Sequence, residues 1–434
     1  MSQQKLSTQP YKGARDFYPE EMRVRNYIFD TWKKVCKSYG YQEYDGPFIE
    51  PFEIYAAKSG EEIVNQQLYS FIDRGDRKVA IRPEMTPTLA RMVAQKYKAL
   101  PRPIRWFSIP NLWRYEKPQR GRLREHYQLN VDMFGISGAE ADFEIVLIYY
   151  DLAKAFGAKD NMYQIRVGNR RLMDDVYKSF KISAEQSARV NKAIDKKNKI
   201  TNDDFLQLLK NDAKLTQVQI DNLVNFLENP QLTIQKLANT SKGAEEVCKL
   251  LQKVSGYDNS VPIKYDPTIM RGFDYYTGNV FELYDLNPKN PRALSGGGRY
   301  DDLVEMFVGE KLTGIGFGLG DVTWKDFLET WNLLPSFESE TEYLVLMWPN
   351  ASDLLTQKTY NLAKQIRDKN KSCEILLETD TKIYKQLKYA DKKGIKYAIM
   401  LGEEELKNNT VTIKDLKSGE QTKIGINQFI SRNF

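Results

Sequence analysis

The sequence predicts an α+β protein: a sheet-based first domain interrupted by a helical insertion, then a smaller domain of alternating strands and helices. Three observations carry this. Residues 112–135 (LWRYEKPQRGRLREHYQLNVDMFG) hold Arg114, Lys117, Arg120, Arg122 and Arg124 around a loop. Its flanks (Trp113, Tyr115, then Tyr127, Leu129, Val131, Met133) alternate with polar residues as two antiparallel half-buried strands do. From about Asn169 to Ser255 glycine almost vanishes and apolar residues recur at helical spacing. Beyond Pro335, strand-like runs alternate with helical stretches as in βαβ units.

Composition sets the bounds. A length of 434 residues suits two to three domains. With 41% hydrophobic and 28% charged residues the chain reads as soluble and globular. No apolar run reaches the roughly 18 residues of a membrane span, and the N-terminal residues lack the apolar core of a secretory signal. Cys36, Cys248 and Cys373 are too scattered for a disulfide framework or a zinc pattern, so a reducing cytoplasmic location is expected. The net charge of +6 is compatible with a phosphate-rich partner. His126 is the single histidine, which excludes histidine metal clusters and histidine relays elsewhere. Arginines, carboxylates, tyrosines and a bound metal ion are left to carry the chemistry.

Taken in order, Pro19, Glu20 and Glu21 open a helix whose apolar stripe runs from Val24 to Tyr39, and Gly40 ends it. Tyr41 to Pro51 reads as an extended strand broken by Pro47. At Ile81 to Thr88 a strand turns into a helix that continues through Leu89, Val93 and Tyr97; Glu84 and Thr86 can hold an ammonium there or simply cap the helix. The basic loop after Leu112 fits a clamp for a polyanion, because a guanidinium fork matches phosphate oxygens two at a time. A solvated face is its plainer reading. A helix spans Glu140 to Phe156. Arg271, Asp274, Tyr275 and Tyr276 crowd beside Gly272 and Gly278 ahead of a strand through Val280, Phe281 and Leu283. Gly296–Gly298 are expected between a strand and a helix, and Thr313 to Thr323 as a glycine-rich strand-to-helix turn with Asp321 as N-cap. Strands are expected at Tyr343–Trp348, Ser372–Leu377 and Tyr397–Leu401, separated by helices near Leu354–Asp368 and Ile383–Lys393.

Arg114-Tyr115-Glu116, Arg122 and Arg124-Glu125-His126-Tyr127-Gln128 together resemble motif 2 of the class II aminoacyl-tRNA synthetases, specifically of the histidyl-tRNA synthetases. The similarity continues in family order. The helix–strand–proline unit resembles motif 1, and Arg82-Pro83-Glu84-Met85-Thr86 the family's Arg-Pro-Glu-x-Thr. Arg271-Gly272-Phe273-Asp274-Tyr275-Tyr276 and Gly296 to Asp301 resemble its two histidine-specific elements, and Thr313 to Gly320 the backbone half of motif 3. Residues 385–406 resemble its anticodon-binding domain.

The resemblance implies a class II antiparallel-sheet catalytic domain over residues 1–328 with the helical insertion at about 169–255, a linker at 329–341, and a C-terminal α/β anticodon-binding domain at 342–434. It implies a histidine–tRNA ligase. Histidine and ATP form histidyl-adenylate and pyrophosphate, and the histidyl group passes to the 3′-terminal ribose of tRNA(His). Mg²⁺ accompanies ATP, and the protein is a cytoplasmic homodimer. Carried over residue by residue, Arg114 and Arg271 are the catalytic cations. Arg114, Glu116, Arg122 and His126 bind ATP, with His126 where the family usually stacks phenylalanine on adenine. Glu84, Met85, Thr86, Gln128 and Asp132 bind the amino-acid end of histidine, and Tyr275, Tyr276 and Tyr300 its imidazole. No protein metal ligand is assigned. One departure stands out. Most of the family ends motif 3 in Gly-Leu-Glu-Arg, whose arginine contacts the ATP γ-phosphate, whereas Thr323 stands at that position here and Arg122 is the first candidate to replace it. Two alternatives are a non-catalytic regulatory or tRNA-sensing paralogue and a plain RNA-binding protein.

Overall fold

The computed structural model describes residues 6–57, 63–197, 200–269, 275–290, 292–378 and 380–431. Its first helix, Pro19–Ser38, starts on proline and two acids and buries Ile28, Trp32, Val35 and Cys36 along one stripe. Gly40, at φ +78°, turns the chain out of it.

The stretch Tyr41 to Pro51 is broken around Pro47, as expected, into two short strands: β1 (Gln42–Glu43) and β2 (Ile49–Pro51). The reason is local. Pro47 has no N–H for a ladder, and the buried Arg82 guanidinium holds Asp45 Oδ1 and the Gly46 carbonyl, each at 2.8 Å, bending the chain between sheets. With β3 (Ser70–Ile72) and β4 (Lys78–Ile81), β2 forms a small antiparallel sheet in the order β2-β4-β3.

The main sheet is built from β1, β5 (Ile104–Ser108), β6 (Asn111–Trp113), β7 (Glu125–Phe134), β8 (Tyr163–Asn169), β9 (Ile263–Tyr265), β10 (Asn279–Asp285), β11 (Ala293–Arg299) and β12 (Gly314–Gly320). Its order is β1-β5-β7-β12-β11-β10-β8-β9, with β6 also on β7. Pairing is antiparallel except at the β1/β5 and β8/β9 edges. Leu129, Val131 and Met133 of β7 and Ile315, Phe317 and Leu319 of β12 pack with the helices Pro19–Ser38, Ala139–Ala155 and Asp321–Thr330 around Trp32, Tyr149 and Trp324. Each such large apolar side chain is worth about 1.5–3 kcal/mol when fully buried.

The opposite face follows from the strand period of two. In register across the sheet lie Asp132, Gly316, Gly298 and Val280, and beside them Asn130, Gly318, Gly296 and Glu282. Four glycines therefore leave a floor with no side chains. Gly296–Gly298 lie within β11 rather than between a strand and a helix. The alternation is enforced by packing: a Cβ at Gly297 would lie 2.3 Å from the Gly316 carbonyl oxygen, while one at Gly296 would meet nothing within 4 Å.

Between β8 and β9 the insertion runs from helix Arg170–Ser179 to helix Lys242–Tyr257 and has its own core, including Leu172, Val190, Phe205, Leu223, Phe226 and Val247. Most of its helices start on side-chain caps: Asn169, Ser183, Thr216 and Ser241 each accept from a backbone N–H, and Ser183–Gln186 and Thr216–Gln219 are reciprocal capping boxes.

This unit closes at Leu334, and a second begins at Pro335. The Asp321–Thr330 helix takes up the first two residues of the expected linker, and Trp331, Leu333 and Leu334 pack on the first unit's core. The second unit has β13 (Tyr343–Val345), β14 (Cys373–Ile375), β15 (Tyr397–Met400), β16 (Thr410–Asp415) and β17 (Gln421–Gly425). Their order is β14-β13-β15-β16-β17, parallel around β13 and antiparallel after β15. Helices Asp353–Arg367 and Ile383–Lys393 connect the parallel strands.

Candidate active site

Above the glycine floor lies a cavity of about 390 Å³ whose walls include Arg114, Glu116, Arg122, His126, Gln128 and Tyr276. His126, Gln128 and Asp132 are brought to this face by alternation along β7. Gly318 gives Gln128 its place, since a Cβ there would lie 2.6 Å from Gln128 Cδ. The Tyr276 ring lies over Gly298, where a Cβ would be 2.9 Å from Tyr276 Cδ1.

At one end is a buried tyrosine–carboxylate cluster. The Tyr275 hydroxyl donates to Glu84 Oε2 at 3.0 Å, and the Tyr300 hydroxyl donates to Asp132 Oδ1. The other Asp132 oxygen, Oδ2, is buried and has no hydrogen-bond partner. Burial pushes the Asp132 carboxyl up to about 7. Burial also raises the three phenols, so Tyr275, Tyr276 and Tyr300 stay protonated donors. Tyr275 stands edge-on to both others, with ring centroids 5.0 Å from Tyr276 and 5.9 Å from Tyr300. Thr86 opens the helix Thr86–Gln95 beside this cluster, whereas the Met85 side chain is buried and packs towards Gly46.

At the other end, Arg114 Nε donates to the Pro83 carbonyl at 2.9 Å, tying the basic loop to the Glu84 segment. Arg122, half exposed, pairs with Glu116 at 3.2 Å. The loop tip turns at Gly121, φ +73°, next to an isolated bridge between Gln119 and Arg122. Burial, with Arg114 and Arg15 nearby, pushes the His126 imidazole down to about 3, so it is a neutral ring at physiological pH. Thr323 lines the cavity too, but its hydroxyl is turned to the Leu294 and Gly320 carbonyls at 3.1 and 3.2 Å. Arg271 lies outside the described residues.

A buried tyrosine–carboxylate cluster, a glycine floor and an arginine-lined rim thus lie on one face of the sheet. The Histidyl-tRNA synthetase family model matches residues 13–321. The chain belongs to the histidyl-tRNA synthetase family. A second family model, Anticodon binding domain, matches residues 344–432. The Histidine–tRNA ligase of Leptospira biflexa is 49% identical over 426 residues, covering 97% of this chain and 96% of that protein. That of Haloarcula marismortui is 36% identical over 425 residues, with 96% of each covered. The crystal structure of histidyl-tRNA synthetase from Nostoc superimposes with a TM-score of 0.83 at 23% identity, over 99% of this chain and 100% of that one, so the fold is shared.

Motif spacing misses the charges that hold this class II site together. Arg15 pairs with Asp321 at 2.9 Å, and its backbone N–H donates to Glu125. Asp321 also accepts from the Tyr127 N–H at 2.9 Å, so it is a buried ion-pair partner in the first turn of its helix; Gly320 is the N-cap. Arg299, in the glycine-rich histidine-specific element, faces away from the cavity and is buried on Asp142, with Nε 2.9 Å from Oδ2. Arg170 of the insertion donates to the Tyr276 carbonyl at 3.2 Å, and Arg171 reaches Asp301 at 3.0 Å. Buried polar groups near the sheet and arginines just past β8 were the available signals.

Proposed function

We propose a division of labour for this histidine–tRNA ligase, which activates histidine with ATP and transfers it to tRNA. Glu84, Thr86, Gln128 and Asp132 hold the histidine ammonium, and the phenols of Tyr275, Tyr276 and Tyr300 surround its imidazole. The observation that carries this is the unpartnered, buried Asp132 Oδ2 at the end of a glycine floor that leads to Arg114. A buried acceptor without a partner is costly unless a ligand supplies the donor.

The histidine carboxylate attacks the α-phosphorus, a new P–O bond forms, and the bond to pyrophosphate breaks. Negative charge grows on the non-bridging oxygens. Arg114, already oriented by the Pro83 carbonyl, meets that charge from one side, and Arg271 is assigned to the other. Preorganised cations suit phosphoryl chemistry because little else is needed beyond position and charge. Arg122 takes the β- and γ-phosphate end, exchanging Glu116 for phosphate oxygens. His126, a neutral ring, stacks on the adenine. A pocket that hydrogen-bonds the substrate side chain rejects analogues lacking it by about 10⁴ or more.

Mg²⁺ fits the same rim. It favours one or two carboxylates plus substrate phosphates, and Glu116 and Glu282 are carboxylates on the cavity wall. When bound it would neutralise charge on the β- and γ-oxygens. The homodimer is proposed through the Pro19–Ser38 helix and the following segment, where Phe48 and Ile49 are exposed. Three free cysteines suit a reducing cytoplasm.

The test is histidine-dependent ATP–pyrophosphate exchange without tRNA, comparing wild type with Arg114→Ala and Arg271→Ala. Exchange that requires histidine and falls by orders of magnitude in both variants is expected. Wild-type protein that binds tRNA yet gives no exchange would sink the catalytic scheme in favour of a sensor.

A further inference from the structure

We propose that Arg292, at the foot of β11, is the cation that grips the terminal phosphate of ATP in place of the arginine missing at Thr323. This rests on the ATP site proposed above. Thr323 is too short to reach a phosphate, and its hydroxyl already serves two carbonyls.

The position has a neighbour of the right chemistry. A Cβ at Gly121 would lie 3.5 Å from Thr323 Cγ2 and 4.0 Å from Arg292 Cδ, so the loop tip, Thr323 and the Arg292 stem meet at one point. Gly121, Ala293 and Thr323 all line the cavity there. Arg292 Nη1 is buried and has no hydrogen-bond partner. Two cations of the basic loop are held by protein partners, Arg120 by Asp326 at 3.3 Å and Arg124 by the Tyr11 hydroxyl at 2.9 Å, while Arg122, once it exchanges Glu116 for phosphate, works beside Arg292 rather than in its place. A guanidinium N–H withdrawn from water with no acceptor is unfavourable until an anion arrives. A guanidinium also matches the oxygens of a terminal phosphate two at a time. The cation has therefore moved from the helix after β12 to the strand beside it, and the glycine at the loop tip leaves room for both.

Because the contact is to the far phosphate, ATP and AMP should part company. Isothermal titration of ATP and AMP into wild type, Arg292→Ala, Arg292→Lys, Arg122→Ala and the double variant Arg292→Ala/Thr323→Arg tests this. Arg292→Ala should weaken ATP about 10- to 100-fold, the range of a hydrogen bond to a charged group, and leave AMP within about twofold. Arg292→Lys should retain part of the affinity, and Thr323→Arg in the double variant should recover most of it. An unchanged ATP affinity in Arg292→Ala, an equal loss for AMP, or no recovery in the double variant would overturn the assignment. Wild-type protein that binds no ATP would instead overturn the underlying reading of the site. Melting curves with Arg292→Lys identify a variant that has merely misfolded.

Discussion

Tyr300 donates its phenolic hydrogen to one oxygen of Asp132 while the other oxygen, Oδ2, is buried without a partner. The carboxyl is thus oriented but left incomplete, the state expected of a group awaiting a cationic ligand. Burial weakens it as an acid, pushing its pKa up from 3.8 to about 7. The sign follows: the folded protein resists ionising this carboxyl, so its contribution to stability is lost as pH rises from the unfolded value through about 7. If Asp132 binds the histidine ammonium as proposed, histidine binding should strengthen over the same interval and release a proton near pH 6. Titration calorimetry in buffers of different ionisation enthalpy reads that proton. Asp132→Asn should abolish it and weaken histidine by about 10- to 100-fold. The difference between the two proteins isolates the carboxyl from the ligand's own imidazole. A pH dependence identical in both would remove Asp132 from the site.

His126 shifts the opposite way. With the folded imidazole held down near 3 against an ordinary 6.5, the unfolded chain takes up a proton first. Stability from this group is complete above about 6.5 and is lost as pH falls towards 3. His126→Phe should therefore flatten the acid limb of the stability curve, measured by urea midpoints between pH 4 and 7. ATP affinity should stay within a few-fold, since a phenyl ring stacks as well as a neutral imidazole. A large loss of ATP binding would assign the ring a hydrogen-bonding task.

Arg299 and Asp142 are 5% and 2% exposed in their side chains, and the guanidinium also donates to the carbonyls of Ile136 and Gly138. Removing one partner leaves the other charge buried and uncompensated. Asp142→Ala should cost about 3–5 kcal/mol, read as a fall in the urea midpoint of the catalytic unit. Arg299→Lys should also be poorly tolerated, because an ammonium cannot reproduce the planar fork. Full stability in either variant would refute this bracing role.

The basic loop and the helical insertion are legible in the sequence because each has its own signature, charge density in one and helical spacing without glycine in the other. What stays hidden depends on distance. Arg15 and Asp321 meet only once both are folded onto β7, so a short-range rule assigns Asp321 to capping. Glycines carry no periodicity of their own, so Gly296–Gly298 read as a loop until the pairing with β10 and β12 reveals which of them face the core. The break between β1 and β2 needs Arg82 as well as Pro47. The hairpin of β16 and β17 is masked by lysines and threonines on an exposed sheet edge. Glu84 and Asp132 are singled out in the sequence by resemblance alone; their burial and partners come only from the fold.

The glycine floor gives the most direct separation of fold from function. A Cβ at Gly297 would strike the Gly316 carbonyl at 2.3 Å, backbone that cannot yield, whereas one at Gly296 would meet nothing within 4 Å and project into the cavity. Gly297→Ala should therefore destabilise the sheet, and Gly296→Ala should not. Alanine also restricts the unfolded chain, so Gly296→Ala should keep or slightly raise stability, by up to about 1 kcal/mol. Its added methyl should still obstruct whatever lies on the floor. Thermal melts paired with pyrophosphate exchange would show an unchanged or higher melting temperature with KM for ATP or histidine raised at least tenfold. A stable Gly296→Ala protein with wild-type kinetics would mean the substrates do not cross this part of the sheet.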